Sequence, residues 1–279
     1  MPTNVRSTDV RIANPHRRAL RVIKRSGLPF VVAGAFALYH YTGIIRDTKD
    51  LDLFVEPSVA PDVLRALRDA GFKTCIEAQH WLGKALWDEY MVDVIYGSGN
   101  WVVPVDRQWI DRAESGTLLG EKVPIAPIEE MIWTKCYVAH RERYDGADVL
   151  HLIWAQYKTI DWQHLLERFG DHWELLLSYL MLFRFVYPSD TDRLPRAMME
   201  ELVRREREEQ SKPPQPGRVC RGTMLDRYQF LYDIEVLGYH DSREEYAEAA
   251  GYSTESVAAD RRIASEMLQK NLVRPSHVA

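Results

Sequence analysis

Residues 46–55 read RDTKDLDLFV and set two carboxylates, Asp50 and Asp52, on either side of a leucine at the start of an apolar run. Leu51, Leu53, Phe54 and Val55 predict a strand over 50–55, and in a strand residues two apart share a face. Asp50 and Asp52 therefore point the same way from the edge of a core. Two unpartnered carboxylates side by side repel, so one stays protonated or a cation lies between them. We take the cation as the answer.

The flanks of this strand set its context. Asn14 caps and Pro15 opens a helix running to Gly27. A short buried strand over 30–32 leads through Gly34 into a helix over 35–41, closed by Gly43. Beyond residue 55 the pattern predicts a helix over 61–70 ended by Gly71, then strands over 72–76, 86–90 and 91–96. Strands alternating with helices argue for an α/β (α+β) domain over 1–126, built on a mixed sheet flanked by helices. From 127 to 279 the periodicity is helical: 128–210 almost throughout, then 224–237, 242–250 and 255–270. A proline-rich break, SKPPQPGR at 211–218, interrupts it. Ser242 followed by Glu245 has the spacing of a capping box.

With 279 residues, 46% hydrophobic and 28% charged, the chain has the composition of a soluble globular protein. No apolar stretch is long enough to cross a bilayer, and no apolar segment follows the N-terminus as in a secretory signal. Three scattered cysteines, Cys75, Cys136 and Cys220, read as reduced thiols and lead us to expect a cytoplasmic protein. A net charge of −5 disfavours indiscriminate binding to nucleic acid. The histidines form no HxxxH or HExxH pair, so zinc is not expected.

Four features carry chemistry. Gly34, between a strand and a helix, lets a ligand approach the backbone where the helix offers free N–H groups, a phosphate cradle or simply a turn. Asp50 and Asp52 are hard oxygen ligands suited to Mg²⁺; otherwise they are solvated or paired with Arg46 and Lys49. Asp93, in the strand MVDVIY, pays a desolvation cost unless it is paired or binds metal. Lys135 lies amid an apolar stripe of Ile128, Met131, Ile132, Val138 and Ala139 on a helix spanning PIEEMIWTKCYVAHRERYDGAD. It either snorkels to water or projects inward to neutralise phosphate. Asp145 also fits a helix cap. Trp81, Trp87 and Trp101 could stack on a base, although core packing is the commoner use.

The order of glycine turn, short helix, RDTKDLDLFV and a later strand aspartate resembles the nucleotidyltransferases of the DNA polymerase β-like superfamily. Within it, the pattern is most similar to the minimal bacterial branch that includes AbiEii-type toxins. The resemblance covers roughly residues 28–155. It implies a triphosphate held at Gly34 and Ala35, and two Mg²⁺ ions held by Asp50, Asp52 and Asp93. A later segment comprises Lys135, Arg141 or Arg143, Asp145 and Asp148, and Arg46 and Thr48 lie close enough to assist. The expected reaction moves a nucleoside monophosphate from an NTP to a hydroxyl and releases pyrophosphate. A tRNA end, a small hydroxyl compound and a protein side chain remain open as acceptors. The family's second small residue, glycine or serine, is replaced here, since the pair reads Ala33-Gly34 or Gly34-Ala35. Phosphate contact would then rest on backbone N–H groups. That departure supports an alternative, a non-catalytic nucleotidyltransferase-like binding or antitoxin module. Oligomeric state is not legible in the sequence.

Overall fold

The computed structural model describes residues 15–46 and 48–272, with side chains described to residue 268. The cap expected at Asn14 lies outside them. The chain divides into two compact units, residues up to 97 with 105–127, and residues 98–104 with 128 onward.

The first unit holds strands β1 (Val31–Val32), β2 (Asp50–Phe54), β3 (Lys73–Ala78), β4 (Leu82–Trp87), β5 (Tyr90–Ile95), β6 (Glu114–Leu118) and β7 (Glu121–Ile125). Its helices are α1 (Pro15–Ser26), α2 (Gly34–Thr42), α3 (Ala60–Asp69) and the short α4 (Arg107–Asp111). The strands form one mixed sheet in the order β3-β4-β5-β2-β1-β7-β6. β2 runs parallel to β5 and antiparallel to β1, which in turn runs parallel to β7. This is the α/β mixed sheet flanked by helices that the alternating pattern predicts.

Period-two alternation decides which face of the sheet is core. Leu51, Leu53, Val92, Val94 and Ala85 are fully buried, whereas Asp50, Asp52, Asp93 and Lys84, one residue out of phase, are only half-buried. Leu64 of α3 lies over Gly83, close enough that an added Cβ would come within 2.7 Å of its Cδ1. α3 therefore covers the apolar face, and α1 packs beside it through Ala19, Leu20 and Ile23. Each fully buried leucine or valine contributes about 1.5–3 kcal/mol, a strong lock on this register. Phe54 stacks on the buried Trp109 of α4 at 4.8 Å and covers the far end of the opposite face.

The structure corrects the sequence reading at several places. The strand expected over 86–90 begins earlier, at Leu82, and turns at Asp88 and Glu89, where Asp88 takes φ 51° and Trp87 faces Tyr90. The hairpin of β6 and β7 was not anticipated. Its turn places Leu119 and Gly120 at φ 51° and 76°, the left-handed pair that a two-residue hairpin requires.

The second unit contains α5 (Ile128–Cys136), α6 (Gly146–Gln156), α7 (Trp162–Phe169), α8 (Trp173–Val186), α9 (Arg196–Gln210), α10 (Leu231–Glu235), α11 (Arg243–Ala249) and α12 (Thr254–Leu272). The helix expected to continue through residue 148 stops at Cys136. Val138 N–H closes back on Lys135 O, Asp145 N–H donates to Val138 O, and Ala139 bridges Tyr144. Val138 and Ala139 thus leave the apolar stripe for a tight loop. The helix expected over 224–237 is a 3-10 turn at Gly222–Met224 and the short α10, with backbone and side-chain bonds to Asp226 between them. Two-residue strands β8 (Val219–Cys220) and β9 (His240–Asp241), not anticipated, pair in parallel in the stretches that flank the helix expected over 224–237. Ser242 occupies the cap position of α11, but its backbone is already helical and its hydroxyl is buried without a partner, so the capping box does not form. All three cysteines are free. Among the described residues no helix is long and apolar enough to cross a membrane.

Candidate functional site

Strand pairing sets the acids beside one another. In the parallel ladder of β2 and β5, Asp52 is the register partner of Asp93 and Asp50 that of Met91. Paired strands lie about 4.8 Å apart, and residues two apart on one strand share a face. Asp50, Asp52 and Asp93 of the first unit therefore project from one patch of the face that α3 does not cover. Lys84 of β4 stands opposite Asp93 on the other side, 3.8 Å from Glu77.

Asp93 shows the cost of this arrangement. Its Oδ1 is buried with no hydrogen-bond partner. Burial first, and then the negative charge of Asp52, push its carboxyl up to about 6, against the opposing pull of Lys84. It lies in mid-strand, not at the strand end where backbone donors would compensate it.

Gly34 completes the patch. It opens α2 with φ 59°, and a Cβ added to it would overlap the Asp52 carboxylate, with Cγ only 2.6 Å away. Ala33 N–H donates to Asp52 O at 3.0 Å, tying the turn to the strand. The first helical bond of α2 runs from Ala37 N–H to Ala33 O, so the N–H groups of Gly34, Ala35 and Phe36 precede the ladder. We expect Gly34→Ala to displace Asp52 and weaken Mg²⁺-dependent NTP affinity by at least about tenfold, since the substitution combines overlap with left-handed strain. Calorimetric titration checks this, and unchanged affinity would remove the turn from the site.

Arg46 is exposed, and the Thr48 hydroxyl is engaged with the backbone of Asp50, accepting from its N–H at 3.1 Å. Thr48 thus shapes the entry to β2.

The later segment gathers within the second unit. Lys135 does not snorkel: it is buried, and its ammonium donates to Asp145 Oδ2 at 2.9 Å and Asp148 Oδ2 at 2.8 Å. Arg143 clamps the same Asp145 through Nε and Nη2, both at 3.1 Å. Burial raises the Asp145 carboxyl, but Arg143 and Lys135 outweigh it and hold the group below the usual carboxylate range. Asp145 occupies the cap position of α6 without a side-chain cap bond, because its oxygens are turned toward these cations. Arg141 is exposed, its backbone N–H donating to the buried Asp226 at 3.0 Å.

Sequence reasoning missed Lys84. The signal was present: once the turn is placed at Asp88 and Glu89, counting back along the hairpin sets Lys84 opposite Asp93. A groove of about 960 Å³ along α8 and α9, lined by Arg184, Leu194, Arg196, Met199, Val203 and Arg207 among others, contains none of the expected site residues.

Whether the acids fit a divalent ion is decided by their chemistry. Among the described residues, no three His, Cys, Asp or Glu side chains converge tightly enough to hold an ion as they stand. The backbone nevertheless leaves Asp50, Asp52 and Asp93 within side-chain rotation of one another, and the unpartnered Asp93 Oδ1 lacks the compensation a cation would give. The residues fit Mg²⁺. A pH prediction arises from the same strain. Asp93 rises from the ordinary 3.8 to about 6 on folding, so the metal-free protein should lose stability as pH climbs from about 4 through 6 and then level off. Asp93→Asn should flatten that slope and raise Tm above pH 6. A thermal-unfolding series across pH checks it; a slope surviving the substitution would contradict it.

No protein-family model and no curated protein matches the sequence. Solved structures similar to the chain include ANT(2")-Ia in complex with adenylyl-2"-tobramycin, at 15% identity and TM-score 0.40, covering 62% of this chain and 96% of that one. The lincosamide antibiotic adenylyltransferase LnuA in its lincomycin-bound form is similar at 14% identity and TM-score 0.38, covering 50% and 95%. JHP933 from Helicobacter pylori is similar at 16% and 0.36, covering 70% and 95%. At these scores the likeness carries no functional argument, and the site rests on its own residues.

Proposed function

We propose that this chain is a Mg²⁺-dependent nucleotidyltransferase of the DNA polymerase β-like type, moving a nucleoside monophosphate from an NTP to a hydroxyl acceptor with release of pyrophosphate. One observation carries the reading: Asp52 and Asp93, far apart in sequence, are register partners on adjacent strands, with Asp50 on the same face and Gly34 against Asp52. Asp93, with Oδ1 buried and unbonded beside the charge of Asp52, costs stability unless it serves a cation.

Asp50, Asp52 and Asp93 would hold Mg²⁺, which when bound supplies positive charge to the phosphates and lowers the pKa of the acceptor hydroxyl. The backbone N–H groups of Gly34 and Ala35 bind phosphate at the start of α2, where the helix dipole favours negative charge. Asp93 accepts the acceptor's proton once that hydroxyl is within hydrogen-bond reach. Arg46 offsets phosphate charge, and Thr48 holds Asp50 in place. In the second unit, Asp145 and Asp148 hold Lys135 rigidly, and Arg143 holds Asp145.

The finer assignment to the branch of AbiEii-type toxins, with a cytoplasmic setting, rests on the RDTKDLDLFV pattern and the reduced cysteines. The acceptor is a tRNA end, a small hydroxyl compound or a protein side chain. Radiolabelled NTP offered to each with Mg²⁺ separates the three by where label appears. Label on none of them, together with no Mg²⁺-dependent NTP affinity, would favour the non-catalytic module, for which the missing serine beside Gly34 speaks.

A further inference from the structure

We propose that β3, the outer strand of the first unit's sheet, pairs antiparallel with β3 of a second copy of this chain. β3 closes one side of the sheet, and among the described residues the backbone groups of 73–77 that face away from β4 have no hydrogen-bond partner. Lys73, Cys75, Ile76 and Glu77 are exposed, Ile76 to 47%. A bare strand edge pairs with another strand unless something forbids it, and the usual guards are a lysine and a bulge. β3 carries both, Lys73 and an irregularity between Ile76 and Ala78.

The spelling of the strand turns the first guard into a match. Two copies of Lys73-Thr74-Cys75-Ile76-Glu77 laid antiparallel about Cys75 set Lys73 opposite Glu77 of the second copy. The two-fold axis repeats that contact, so the interface is isologous. Thr74 falls opposite Ile76, again twice, on the other face of the ladder, and covers the exposed isoleucine. Opposite charges directly across a ladder stabilise, whereas like charges there repel. Glu77 is free to serve, since its contact with Lys84 is long, at 3.8 Å, and its side chain is 54% exposed. The register of β3 is regular only over residues 73–76, and Glu77, the extra residue of the irregularity, still lies on the Cys75 side of the sheet against Lys84, so the interface is small and the dimer weak.

The pairing is independent of the catalytic reading, because none of its residues is assigned to the site. Sedimentation of the full chain over a concentration series should show a reversible dimer. A short bis-maleimide should join Cys75 to Cys75, the exposed thiol, and Cys75→Ser should abolish the product. Lys73→Glu sets like charges at both pairs and should raise the dimer Kd about tenfold or more. Exchanging both charges, Lys73→Glu with Glu77→Lys, should restore it, and a Tm of Lys73→Glu matching the parent's shows that the single variant remains folded. A monomer throughout the series, a Kd indifferent to Lys73→Glu, or a cross-link retained in Cys75→Ser would overturn the proposal.

Discussion

Asp50→Asn, Asp52→Asn and Asp93→Asn are each expected to lower Mg²⁺-dependent NTP turnover by on the order of 10³-fold or more, while the protein stays folded. A divalent ion contributes several kcal/mol to phosphoryl transfer, and each 1.36 kcal/mol is tenfold in rate, so roughly three decades depend on the charge of its ligands. Asparagine keeps the shape of aspartate and removes the charge, and the apolar partners that set the register, Leu51, Leu53, Val92 and Val94, are untouched. The Asp93 variant separates function from folding most sharply. It removes a carboxyl that burial and Asp52 hold at about 6, so it should be more stable than the parent at pH 7 and yet inactive. Pyrophosphate release with each variant, alongside its Tm, is the measurement. Full turnover in both Asp52→Asn and Asp93→Asn would dismiss the acids from the chemistry.

Arg243→Met is expected to cost about 3–5 kcal/mol in the stability of the second unit, the usual penalty for stranding a buried charge. Arg243 is wholly buried and forks onto Asp241, with Nη2 to Oδ2 at 2.8 Å and Nε to both oxygens at 3.1 and 3.2 Å. Its Nη1 reaches Asp260 Oδ2 at 2.8 Å, and Arg227 holds the other oxygen of Asp260. Asp241 also accepts from the Thr223 hydroxyl at 2.7 Å and from Arg261 at 3.0 Å. The cluster pins the 3-10 turn at Gly222–Met224, β9, α11 and α12 to one another. Burial pushes the Asp241 carboxyl up, but Arg243 and Thr223 outweigh it and hold the group at about 2. Methionine fills much the same volume and leaves that carboxylate without its fork. Urea unfolding of the full chain reads the loss as a fall in midpoint. Replacing Asp241 as well, by leucine, should recover part of it; a midpoint unmoved by Arg243→Met would show that the remaining arginines suffice.

Much of the first unit was legible because its signals are local. Leu51 and Leu53 alternate with Asp50 and Asp52, Val92 and Val94 flank Asp93, and Gly34, Gly43 and Gly71 mark turns at or just beyond the ends of elements. What was not legible depends on tertiary context. β6 and β7 read Glu-Ser-Gly-Thr-Leu and Glu-Lys-Val-Pro-Ile, too polar to announce strands, and β7 is held by its pairing with β1. Lys84 was lost because the turn at Asp88 and Glu89 was read as strand. The helix through Lys135 was extended too far because Val138 and Ala139 continue its period, while the loop that ends it is closed by Asp145, seven residues further along. That same loop makes the Lys135–Asp145–Asp148 cluster, whose members the resemblance grouped in one segment without foreseeing their ion pairs with one another.

Co-crystals with Mn²⁺ and a non-hydrolysable NTP test the central claim most directly. The expected result is anomalous density for two ions about 3.5–4 Å apart, ligated by Asp50, Asp52 and Asp93, with the triphosphate against the N–H groups of Gly34 and Ala35. A triphosphate seated elsewhere, such as among the arginines along α8 and α9, with no ion at the three acids, would contradict it.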